Sequence, residues 1–94
     1  MTPSTSDVAQ PIEQAALALF DQMIRQQREK VLRLAREAVP HISSEDVLNP
    51  NDYPALKAHP SFDYEDGILA GLLSAQMAFR AELGRRRAPG PGVR

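Results

Sequence analysis

The chain has 94 residues, of which 43% are hydrophobic and 24% charged, and a formal net charge of −1, a balance that excludes wholesale disorder and a fibrous protein. One small domain of this size buries only about 60–68% of the surface its unfolded chain exposes. Cysteine and tryptophan are absent, which rules out a disulfide framework, a cysteine zinc site and a thiol nucleophile.

Residues 1–10, MTPSTSDVAQ, are small and polar, and a stretch with so little to bury is expected to be disordered. It carries neither a basic n-region nor an apolar h-region, so no secretory signal is read there and a cytoplasmic location is expected. Pro11 suits the first turn of a helix, where its missing N–H removes no bond. From Pro11 to Val39 the sequence predicts one helix, roughly 43 Å long at 1.5 Å per residue. Pro40 ends it, because the residue before a proline is pushed out of helical angles.

Within that helix Leu17, Phe20, Ile24, Gln27, Val31, Leu34 and Ala38 alternate at spacings of three and four, the seam of a short coiled coil or bundle helix. Ala16, Met23 and Ala35 widen the seam, which suits a globular bundle better than a two-stranded rod. Gln27 interrupts it and is expected to make a register-setting polar contact, with its own symmetry mate or with Gln76. The opposite face, with Gln14, Gln22, Arg25, Gln26, Glu29, Arg33 and Arg36, is polar, and Glu29 and Arg33 stand at the favourable i, i+4 spacing.

Between Pro40 and Phe62 the chain is punctuated by Pro50, Pro54 and Pro60, too often for a long element. Ser43 with Asp46 three residues on predicts a capped turn over Ser44–Leu48, and Asp52 before Pro54 predicts another through Ala58. A structureless crossover of this length is unusual in a compact domain. Ile42, Val47, Leu48, Tyr53, Leu56 and Phe62 are therefore expected to anchor it over the hairpin.

The second helix is predicted from about Tyr64 to Leu83 or Arg86, roughly 30 Å, with Asp63 as its N-cap and Glu65 supplying negative charge where the dipole favours it. Its run from Gly67 to Phe79, GILAGLLSAQMAF, is unusual. At about 100° per residue, Ile68, Leu69, Leu72, Leu73, Met77, Phe79 and Leu83 sweep one arc, while Gly67, Ala70, Gly71, Ser74, Ala75 and Ala78 fill the other. A helix without a polar side requires cover all round. The run is too short for a bilayer, which needs about 20 apolar residues, so no membrane association is expected. The final segment, residues 87–94, is read as a disordered basic tail.

Charge is unevenly placed. Glu45, Asp46, Asp52, Asp63, Glu65 and Asp66 make the middle acidic, and Arg80, Arg85, Arg86, Arg87 and Arg94 make the end basic, a polarity that favours contacts between copies. The arginines can also neutralise phosphates, which gives an alternative as a nucleic-acid-associated regulator. The long interhelical connection has no helix-turn-helix spacing, so nucleic acid is not the expected partner. A second alternative, a metal- or ligand-binding bundle, would use Asp63, Glu65 and Asp66 with His41 and His59. Phe62 and Tyr64 occupy positions where an EF-hand needs ligands, and capping explains the acids more simply. Ser43, Ser44, Ser61 and Ser74 have no glycine elbow around them, and there is no phosphate loop. No catalytic residue, metal or cofactor is expected.

The sequence thus predicts an all-α fold: an antiparallel two-helix hairpin over residues 11–86, with a proline-rich crossover containing short helical turns. Two hairpins are expected to pair as a homodimeric four-helix bundle. The expected role is a non-enzymatic dimerisation and protein-interaction module, an adaptor that can also engage another protein. Interface candidates are Phe20, Ile24, Gln27, Val31 and Leu34 on the first helix, and Ile68, Gly71, Leu72, Ala75 and Phe79 on the second.

Overall fold

The computed structural model describes residues 5–87. Among them every regular element is helical: α1, Thr5–Ala38; α2, Pro54–Lys57; and α3, Pro60–Arg87, with two short 3₁₀ turns, Asp46–Leu48 and Pro50–Asp52, in the crossover. The long helices α1 and α3 pack against each other. Glu13 pairs with Arg87, Phe20 with Phe79 and Gln27 with Glu65, an order that makes the hairpin antiparallel. No helix among the described residues is long and apolar enough to cross a membrane.

Both long helices start earlier than the sequence predicts. α1 begins at Thr5, so Pro11 lies inside it; the fixed φ of proline is itself helical, and in an early turn it forfeits a ladder bond without ending the helix. The segment 1–10, expected to be disordered, therefore overlaps α1 at residues 5–10, and residue 87 of the expected tail belongs to α3. The rest of both expected tails, 1–4 and 88–94, lies outside the described residues. α3 begins at Pro60, and its cap is not Asp63. Instead the Phe62 backbone N–H donates to Nδ1 of His59 at 3.2 Å, while the Asp63 N–H donates to the His59 carbonyl at 3.2 Å. The His59 ring thus satisfies a donor that the start of a helix leaves unpaired, and its carbonyl accepts the first bond of the helical ladder.

The prolines that break up the crossover also open its elements. Pro50, Pro54 and Pro60 each stand at the start of a helical segment, where the ring is preorganised and no donor is missed. The first turn is held by a reciprocal pair. The Asp46 N–H donates to the Ser43 hydroxyl at 3.1 Å, and the Ser43 N–H donates to the Asp46 carboxylate at 3.2 Å. Hydrogen bonding to the carboxyl by the Ser43 side chain, and then by the Ser43 backbone N–H, favours its ionised form and holds its pKa below the ordinary value.

The buried core sits at the closed end of the hairpin. Val31 and Ala35 of α1 meet Ile42, Val47 and Leu56 of the crossover and Phe62 of α3. Phe62, Leu56 and Val31 are the largest side chains fully removed from water. Of the expected anchors, Tyr53 packs against this cluster, whereas Leu48 remains 70% exposed. Ile24 and Leu83 are the other buried hydrophobic residues among those described.

Candidate interaction surface

A polar network crosses the hairpin beside its core. Gln27 Nε2 donates to the Glu65 backbone carbonyl at 2.8 Å and to its carboxylate at 3.3 Å, and the Lys30 ammonium lies 3.0 Å from that carboxylate. Glu65 is only 7% exposed. Its pKa is lowered by the hydrogen bond from Lys30, which outweighs the opposing effect of desolvation, with further help from Gln27. Gln27 does make a polar contact across the hairpin, but its partner is Glu65 rather than Gln76, which donates to Asp21 at 2.9 Å. Moving the start of α3 back to Pro60 would have exposed this pairing in the sequence, because Glu65 then stands on the face of Phe62 and Leu69.

The other ionisable candidates are separated by the fold. Glu65 points into the hairpin, Asp63 is exposed, and His59 Nε2 lies 3.2 Å from the Glu37 carboxylate. Among the described residues no three histidine or acidic side chains converge to hold a metal ion. The arginines also meet acids of their own chain. Arg80 lies 3.7 Å from Asp21, Arg86 donates to Glu82 at 2.9 Å, Arg85 pairs with Glu82 and Arg87 with Glu13.

The large arc of α3 turns toward α1, with Leu83 buried and Leu69, Leu72, Leu73 and Phe79 half-buried. Phe79 meets Phe20, ring centroids 5.5 Å apart and the planes tilted by 37°, a separation typical of interacting aromatic pairs. Phe20, Ile24, Val31, Leu34 and Phe79 are thereby engaged inside the hairpin. The small arc is bare: Gly67, Ala70, Gly71, Ser74, Ala75 and Ala78 are all exposed. A Cβ placed on Gly67 or Gly71 would meet nothing within 4 Å.

One face combines that arc with larger side chains. Met23, Gln26 and Lys30 of α1 line a shallow groove with Ile68 and Leu72 of α3, and Tyr64 lines the next hollow beside Lys30. Met23 and Ile68 are 39% and 38% exposed, and Tyr64 is 71% exposed. Sequence reasoning placed Ala16 and Met23 in a widened seam and missed Ile12 and Leu19 beside them. Ile12, Ala16, Leu19 and Met23 form a second 4-3-4 stripe beside the main seam, and Ile12 and Leu19 are exposed. The opposite face is partly roofed by the crossover, where Val47 and Leu48 lie over Leu32 and Leu69; Met77 lies beyond that roof and is exposed.

Comparison with known proteins finds no matching family model, no matching curated protein and no matching solved structure.

Proposed function

We propose that this protein is a non-enzymatic dimerisation and protein-interaction module of two hairpins paired as a four-helix bundle. The observation that carries the reading is the bare face of Met23, Tyr64, Ile68 and Gly71, where large apolar side chains and open glycine positions stand together on the hairpin. Contiguous apolar surface of this kind marks an interaction site. The exposed small residues permit close approach of another helix backbone. Because the arginines at the end of α3 are engaged by in-chain carboxylates, a protein partner ranks ahead of a phosphate backbone. The cytoplasm remains the expected compartment.

Gly71→Leu tests this reading. The new side chain has open space in the single hairpin, and replacing a helical glycine with a better helix former favours the helix by up to about 1 kcal/mol. The variant is therefore expected to keep its helical circular dichroism and to lose the dimer in a molar-mass measurement. A dimer of unchanged mass would count against this face.

A further inference from the structure

The exposed stripe of α3 carries information about its own partner. Tyr64, Ile68, Gly71, Ala75, Ala78 and Glu82 follow one another at spacings of 4-3-4-3-4, a sequence of intervals that reads the same in both directions. Such spacing places them on one face of the helix. Tyr64, Ile68, Gly71, Ala75 and Ala78 are exposed, and Glu82 is half-buried. The stripe runs from the bulky Tyr64 and Ile68 through the small Gly71, Ala75 and Ala78 to the carboxylate of Glu82. When a second α3 runs antiparallel along the stripe, Tyr64 faces the partner's Glu82, Ile68 faces the partner's Ala78, and Gly71 faces the partner's Ala75. Ile68 then meets a small side chain, the small Gly71 and Ala75 meet at the centre, and each tyrosine hydroxyl can donate to the partner's Glu82 carboxylate.

We infer that the occupant of this face is a second copy of the chain, docked α3 to α3 in that antiparallel register. A two-fold interface must be self-complementary, and this stripe has that property in size and in polarity. Net charge agrees: α3 has Asp63 in its first turn, while Arg85, Arg86 and Arg87 in its last outnumber the two carboxylates, Glu82 and Glu13, that pair with them, so antiparallel docking brings the acidic start of each helix to the net basic end of the other. A parallel arrangement would stack like charges and leave Ile68 against Ile68. The stripe from Tyr64 to Glu82 runs about 27 Å at 1.5 Å per residue, and the exposed Met23 of α1, across the shallow groove from Ile68, widens the apolar face that a second copy can cover.

This inference rests on the dimer reading above, and disulfide trapping separates the two. The chain has no cysteine, so Ile68→Cys and Ala78→Cys each introduce a single thiol. Under oxidised glutathione, the mixed variants are expected to form a disulfide-linked dimer, and neither variant alone is expected to do so, because the antiparallel register separates identical positions by about 15 Å along the axis. Tyr64→Cys with Glu82→Cys repeats the test outside the hairpin core, with circular dichroism verifying that each variant remains helical. Crosslinking of the Ile68→Cys variant to a second copy of itself, or a dimer by mass with neither mixed crosslink, would overturn the register while leaving the dimer. A monomer by mass would overturn both.

Discussion

The two ends of the hairpin solve the problem of burial differently. At the closed end the crossover folds over α1 and α3, and Val31, Ala35, Ile42, Leu56 and Phe62 all lose nearly all contact with water. At the open end the two helices have only each other. Ile24 and Leu83 are buried there, the Phe20–Phe79 pair is half-covered, and ion pairs from Asp21 to Arg80 and from Glu13 to Arg87 close the rim. Two helices alone form one seam, and a seam leaves most of each cylinder wet. The closed end is thus complete within one chain, whereas the open end and the bare face leave apolar side chains in water.

The largest expected effect is at the closed end. Phe62→Ala empties a fully buried site and should cost about 3–5 kcal/mol, a large part of the stability of a domain this small. Denaturant unfolding should show the loss in monomer and dimer alike. Leu83→Ala at the open end should cost less, toward the lower end of the roughly 2–5 kcal/mol range for such truncations, because its surroundings are already half-open. Equal losses at the two sites would break the comparison.

The polar link between the regions should respond to pH. The carboxyl of Glu65 is held below its ordinary value by Lys30 and Gln27, so its stabilisation is fully present above the unfolded carboxylate pKa of about 4.3. It is lost as pH falls through the depressed folded value. Glu65→Gln should lower the melting temperature near neutrality, and the difference from the parent should close in acid. A pH-independent difference would show that the ion pair adds nothing.

Asp66 should show a smaller effect of opposite sign. Burial, with the charge of Asp63 second, raises its carboxyl pKa, so the folded chain holds that proton more tightly than the unfolded one. Ionised Asp66 therefore opposes folding near neutrality. Asp66→Asn is expected to raise the melting temperature slightly there, with the gain disappearing once acid protonates the aspartate in both states. A loss at neutral pH would contradict that balance.

Much of the closed end was legible in the sequence. The 3-4 seam of α1, the stop at Pro40, the Ser43–Asp46 capping pair and the anchors Ile42, Val47, Leu56 and Phe62 follow from periodicity and local chemistry, which act over a few residues. The misread features depend on contacts from elsewhere. Whether Pro60 interrupts or opens a helix turns on His59 accepting the Phe62 N–H, and whether Glu65 is a surface charge turns on Gln27 and Lys30 across the hairpin. Leu48 reads as an anchor by type, yet its turn carries Val47 inward and leaves Leu48 out. The bare face was half legible: the small arc of α3 stood out, while the second stripe of α1 lay beside a stronger seam.

The mass of the chain in solution tests most directly whether a second copy covers the bare face. Light scattering on the purified protein should give twice the 10.4 kDa chain mass, falling toward the single-chain value only on dilution. A well-folded species that stays at 10.4 kDa across working concentrations, with Tyr64 and Ile68 left in water, would contradict it.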